Sequence, residues 1–118
     1  MINNLNNISV YLACGETDLR KSIDGLALIV TESFSLDPFS NCLFVFCNKN
    51  KTKIKILHWE YNGFWLYYKR LERSTFEWPE NTNHSVQPIT LRELRWLLDG
   101  ISLEQKSRFN EVKERVIS

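Results

Sequence analysis

Apolar and polar residues fall into blocks whose period changes along the chain. Residues 8–13 (Ile-Ser-Val-Tyr-Leu-Ala) are rich in β-formers and predict a first strand, which Gly15 breaks. The period then lengthens. Leu19, Ile23, Leu26, Ile29 and Val30 recur at three- and four-residue steps, the stripe of an amphipathic helix. Thr17 offers an N-cap oxygen and Asp18 a first-turn negative charge, so this helix is expected to start there. Asp37-Pro38 ends the element, because a residue before proline avoids the helical region. Residues 43–47 are almost wholly apolar and predict a central strand, with further strands over 54–59 and 64–71. The connectors are short and polar, and the second holds Asn62-Gly63, a strong hairpin signal, so the three strands read as an antiparallel meander. Residues 75–78 predict a fourth short strand closed by Pro79, and 80–88 a surface loop. Thr90 and Glu93 then stand at capping-box spacing ahead of Leu91, Leu94, Leu97 and Leu98, with Trp96 beside the stripe and Gly100 as the stop. Residues 103–116 alternate in charge and predict a last, peripheral helix.

These elements predict an α+β fold: an antiparallel meander sheet of about four or five strands, a long helix packed on one face and a Leu-rich C-terminal helix nearby. The 118 residues are expected to form a single domain over 1–118, with its core at about 8–103 and a peripheral helical tail at 104–118. No internal repeat or separating linker is visible.

Composition adds one unusual figure, an aromatic content of 13% within ordinary proportions of apolar (43%) and charged (25%) residues. Net charge is +1, which excludes a histone-like polycation. The balance conceals an asymmetry. Between residues 49 and 73 lie seven basic residues (Lys49, Lys51, Lys53, Lys55, Lys69, Arg70, Arg73) against Glu60 and Glu72, a local surplus of five. Eight of the fifteen aromatics lie between 59 and 78, on the same hairpins. Lys49, Lys51, Lys53 and Lys55 are two apart, so an extended chain would point them to one side at about 6–7 Å spacing, a row able to follow a phosphate backbone. The aromatics could stack on unpaired bases. The plainer readings stand beside these: lysines at a hairpin tip keep a sheet edge soluble, and alternating Phe64, Leu66 and Tyr68 suit a buried face.

Catalytic chemistry finds little support. Asp18, Asp24, Asp37, Glu60 and Asp99 each suit a local role as cap, helix surface, turn or strand end, so no convergent carboxylate set for metal-dependent phosphoryl transfer emerges. Cys14 before a helix start could be imagined as a nucleophile, but neither His58 nor His84 is marked as its base, and a buried structural thiol is the simpler reading. Cysteines 14, 42 and 47 are odd in number and lack Cys-x-x-Cys spacing, which argues against a disulfide framework or a thiolate metal site. No cofactor motif occurs. The Asn-rich start lacks signal-peptide character and no apolar run has membrane-spanning length, so a cytoplasmic protein without membrane partners is expected.

Several ordered blocks carry a family resemblance: Leu12-Ala13-Cys14-Gly15, Thr17-Asp18-Leu19-Arg20-Lys21-Ser22-Ile23-Asp24-Gly25-Leu26, Asp37-Pro38-Phe39-Ser40, Leu43-Phe44-Val45-Phe46-Cys47-Asn48, Ile54-Lys55-Ile56-Leu57, Gly63-Phe64-Trp65-Leu66, Lys69-Arg70-Leu71-Glu72, Phe76-Glu77-Trp78-Pro79 and Leu97-Leu98-Asp99-Gly100. From about residue 8 to 103 the chain resembles the TnpB (or OrfB) accessory proteins of the sixty-six family of bacterial insertion sequences, which are distinct from the RNA-guided nuclease of the same name. Glu16 stands where a proline is frequent, Asn41 and Ser74 where glycines are, and the 48–53 turn carries lysine where relatives often carry arginine. The resemblance implies a non-enzymatic accessory of DNA transposition, with the transposase of the same element, and a sibling accessory protein, as partners, and with strand cutting left to the transposase. Arg20 and Lys21, in the expected first turn of the helix, oppose its dipole and so should meet an anion, either a phosphate or an internal carboxylate. The expected DNA-contacting set is therefore Lys49, Lys51, Lys53, Lys55, Lys69, Arg70, Arg73, Arg20 and Lys21. The alternative is a protein-docking module anchored by Trp59, Trp65 and Trp78. No metal or cofactor is expected.

Overall fold

A computed structural model describes residues 7–81 and 83–100. It is an α+β fold built on one five-stranded mixed sheet and two helices. The elements in chain order are β1 (Ser9–Ala13), α1 (Ile23–Glu32), β2 (Cys42–Cys47), β3 (Lys53–Glu60), β4 (Gly63–Arg70), β5 (Val86–Ile89) and α2 (Leu91–Leu98). Across the sheet the strands run β4-β3-β2-β1-β5.

The sheet is not purely antiparallel. β1 and β2 pair in parallel, with Val10 opposite Leu43 and Leu12 opposite Val45, and α1 makes the crossover between them. The meander itself is present, β2 to β3 to β4, with Leu43 opposite His58 and Leu57 opposite Leu66. β2 is the central strand, and residues 43–47 are buried throughout, as a strand covered on both faces requires.

Two apolar layers follow from the alternation of side chains. On one face, Leu26 and Val30 of α1 and Leu19 ahead of it join Phe44, Phe46 and Leu57. On the other, Leu94 and Leu97 of α2 join Val10, Val45, Ile54 and Ile56, together with Phe76 and Trp78. The Trp78 indole N–H donates to the Ala13 carbonyl at 2.8 Å, tying that connector to β1.

Several expectations are corrected. Helix α1 begins at Ile23 with Ser22 as N-cap, not at Thr17 or Asp18. The Asp18 carboxylate accepts the Arg20 backbone N–H at 3.0 Å, a local turn that competes with helix formation. The helix ends at Glu32, ahead of Asp37-Pro38, and Ser35 lies beyond it at φ 54. Residues 75–78 form no strand; Phe76 and Trp78 alternate as strand residues would, but they plug the core without a ladder. The fifth strand instead begins inside the expected 80–88 loop and runs one residue past it. Pro88 is tolerated there because β5 is an edge strand. In the β3–β4 hairpin Glu60 pairs with Gly63, so the turn residues are Tyr61 and Asn62, and the positive φ falls on Tyr61. The capping box at α2 is realised: the Glu93 N–H donates to Thr90 Oγ1 at 3.0 Å and the Thr90 N–H to the Glu93 carboxylate at 2.9 Å. The tail at 104–118 lies outside the described residues.

Candidate nucleic-acid interface

The lysine row does not form as an extended chain would form it. After β2 the chain turns sharply. The Lys51 N–H donates to the Asn48 carbonyl at 3.2 Å, and the Asn48 side-chain oxygen accepts the N–H groups of Thr52 and Lys53 at 2.9 and 3.0 Å. Lys51 takes φ 60 and reaches across to Glu80 at 3.0 Å, a carboxylate that raises its pKa. The row is thus broken in the middle. Strand alternation resumes at Lys53 and Lys55, which share the α1 face of the sheet with Leu57.

A cleft of about 880 Å³ opens beside these two lysines. One wall is the 16–20 segment and the other is the turn at Asn48, Lys49 and Asn50; Lys53, Lys55 and Tyr68 complete the lining from the strands. The first wall is pinned to the sheet. The Thr17 N–H donates to the Cys47 carbonyl at 2.8 Å and the Gly15 N–H to the Pro79 carbonyl at 2.8 Å. Gly15 has φ +75, and a Cβ there would come within 2.9 Å of the Asn81 Cβ, so glycine is needed for this approach. The cleft brings together four cations, Arg20, Lys49, Lys53 and Lys55, against two carboxylates, Glu16 and Asp18. Arg20 and Asp18 engage each other through guanidinium contacts of 2.8–3.2 Å, and this holds the Asp18 carboxyl down to about 2. Lys55 Nζ also donates to the Lys21 carbonyl at 3.0 Å, clamping strand to wall.

The remaining predicted cations lie elsewhere. Lys69 projects from the opposite face of β4 and its Nζ donates to the Leu98 carbonyl at 2.9 Å, at the negative end of α2. Arg70 is on the cleft face, opposite Lys53, but its guanidinium is held by Glu72 at 2.7 Å. Arg73 is exposed in the connector after β4. Lys21 lies outside α1, so it does not oppose that helix's first turn. Its side chain lies over Gly25, where a Cβ would come within 3.0 Å of Lys21 Cβ; the glycine therefore makes room for Lys21. Of the nine expected DNA contacts, the cleft gathers Arg20, Lys49, Lys53 and Lys55.

The three tryptophans separate as well. Trp78 is 7% exposed inside the core and is not available as a surface anchor. Trp59 is half-buried, edge-on to Phe39 and Phe64 at centroid distances of 5.0 Å. Trp65 is 49% exposed, its N–H donating to Glu60 at 2.9 Å. Phe39 and Tyr61 are exposed as well, but Phe39 packs with Trp59 and Phe64 on the α1 face, whereas Trp65 projects from the opposite face beside Tyr67.

Burial raises the pKa of Cys14, whose thiol sits 3.9 Å from the Leu12 carbonyl, and pushes Cys47 up to about 12. Neither environment favours a thiolate nucleophile. Among the described residues no group of three His, Cys, Asp or Glu could hold a metal ion, and no helix is long and apolar enough to cross a membrane.

Sequence reasoning passed over Tyr68, read as core, and Asn48, Glu16 and Glu80. The available signal for Tyr68 was its register: it is opposite Lys55, not opposite an apolar residue.

The family model described as IS66 Orf2 like protein matches residues 8–108. The uncharacterized protein y4hO of Sinorhizobium fredii is 36% identical over 95 residues, covering 80% of this chain and 82% of the relative. A second uncharacterized protein of that organism, y4jC, is 28% identical over 79 residues, covering 67% and 68%. No solved structure matches significantly.

Proposed function

We propose a DNA-contacting role for this chain, which belongs to the family of IS66 Orf2 like proteins and is thus an insertion-sequence accessory protein. In this reading it acts by binding in the cytoplasm, without catalysis of its own, while the transposase of the same element cuts the strands. The observation that carries the reading is the cleft, where Lys49, Lys53 and Lys55 converge beside Arg20 on a chain whose net charge is only +1. A local field of this kind on a neutral protein gives moderate, salt-sensitive binding rather than general adhesion to polyanions.

With Arg20 engaged by Asp18, the three lysines are the phosphate partners. Affinity for duplex DNA should therefore fall with salt at a log–log slope of about −2.7, three phosphates at about −0.9 each. Mobility-shift titrations with element-end and random duplexes at several salt concentrations test this. Lys53→Glu with Lys55→Glu should abolish the shift, and Lys69→Glu, on the opposite face, should leave it intact. Tight binding that ignores salt, or none at low salt, overturns the reading.

A second reading has its own observation, the exposed Tyr61 and Trp65 at the turn end of the hairpin. Aromatic anchors of this kind serve protein docking, with the transposase or a sibling accessory protein as the partner.

A further inference from the structure

The chemistry of the cleft is not that of a plain phosphate rail. In the β3–β4 ladder Lys55 is directly opposite Tyr68, and Lys53 directly opposite Arg70. Side chains alternate, so these four residues share one face, continuing the line of Leu57 and Leu66 beyond the last position in the α1 core layer. Tyr68 is consequently 54% exposed, an aromatic ring set among cations on a rigid strand. Asn50 adds a side-chain amide to the lining and Glu16 a carboxylate, while the Asn48 amide is taken up within its own turn.

We propose that this cleft takes unpaired nucleotides, a single-stranded DNA segment, with one base stacked on Tyr68 and the flanking phosphates on Lys49, Lys53 and Lys55. The inference rests on the DNA-contacting reading above and specifies its substrate. Two features favour a single strand over a duplex. A duplex shows its neighbours phosphates and base edges but no base face, which leaves the Tyr68 ring without a partner; a single strand offers a π-face at every residue. Carboxylates beside a row of lysines weaken a contact made only with phosphates, whereas Glu16 and the Asn50 amide suit the donors and acceptors of a base edge, as when a carboxylate accepts from cytosine N4. The volume of about 880 Å³ falls within the roughly 300–1,000 Å³ of ligand sites, room for a base and its flanking groups.

The test is fluorescence anisotropy on the full chain with a labelled oligothymidylate of about 15 nucleotides, near the upper site size of a small single-strand binding fold, and a duplex of equal length at the same salt. The single strand should bind about tenfold or more tightly than the duplex, and Tyr68→Ala should weaken it about ten- to a hundredfold, the loss of one stacked base. Tyr68→Phe should keep the affinity, because the face and not the hydroxyl is used. Thermal melting confirms that the exposed Tyr68→Ala site leaves the fold intact. Preference for the duplex, or a Tyr68→Ala loss that is absent or equal on both probes, overturns the single-strand assignment while salt-dependent duplex binding keeps the broader reading. Failure of both probes at low salt overturns both.

Discussion

Asp18 and Arg20 hold each other across a two-residue step on the cleft wall, and the pairing decides what Arg20 can offer to a ligand. The guanidinium beside it holds the Asp18 carboxyl down to about 2, so Asp18 stays ionised across all ordinary conditions and competes with any phosphate for Arg20. Asp18→Asn should release Arg20 as a further phosphate partner, tightening DNA binding and steepening the salt slope by about 0.9 in anisotropy titrations. The pair's stabilisation is fully present above the unfolded carboxylate range near 3.9 and is lost as pH falls through about 2. His58 has the same sign from a different cause. Its ring is 1% exposed, Nε2 donates to Asn41 Oδ1 at 3.2 Å, and Nδ1 has no hydrogen-bond partner among the described residues. Burial pulls its pKa below 6.5, with the Glu60 charge opposing in part. The unfolded chain then binds a proton that the folded one refuses, so stability should fall as pH drops below about 6.5, by at most about 1.4 kcal/mol per unit. Urea unfolding between pH 5 and 7.5 should show that loss, and His58→Gln should remove it; an unchanged slope in the variant would assign the effect elsewhere.

The segment between β4 and β5 contributes more than its lack of regular structure suggests. Phe76 is 1% exposed and belongs to the same apolar layer as Leu94 and Leu97 of α2. Phe76→Ala should cost about 3–5 kcal/mol in chemical denaturation, as large-to-small core changes do. Thr90→Ala, which removes one half of the α2 capping box, should cost only about 1 kcal/mol. This ordering puts an irregular connector above a helix cap, and it also shows where sequence patterns stop being informative. Strands β2, β3 and β4 were legible to within a residue, because one face or both are buried and the apolar pattern records it. The start of α1 was not, because the Asp18 side chain takes up a local backbone N–H and keeps 17–21 out of the helix. Parallel pairing of β1 with β2 was not legible either, since alternation along a strand is silent about its neighbour. In the site, Lys53 and Lys55 could be placed together from strand period alone. Lys51 and Lys69 could not be set apart, because their partners, Glu80 and the Leu98 carbonyl, are each 29 residues distant.

At the scale of the molecule, the β3–β4 hairpin separates two kinds of surface. Eight residues per strand span about 23 Å at roughly 3.3 Å per residue. Lys53, Lys55 and Tyr68 stand toward one end, and Tyr61 and Trp65 at or beside the turn, with Phe39 packed edge-on to Trp59 near that turn. None of the residues lining the cleft belongs to the aromatic set at the turn, so the two surfaces should act independently. Joint replacement Tyr61→Ala with Trp65→Ala should therefore abolish co-purification with the transposase in nuclease-treated extract and leave DNA affinity unchanged. Lys53→Glu with Lys55→Glu should do the reverse. Trp59 is a poor choice for this purpose, because it packs against Phe39 and Phe64 and its loss would disturb the hairpin as well as the surface. If the lysine pair alone removed both activities in folded protein, DNA would be the bridge to the transposase and the aromatic end would have no docking role. Clean separation would instead describe an accessory protein that holds the element's DNA at one end of a rigid hairpin and the transposase at the other.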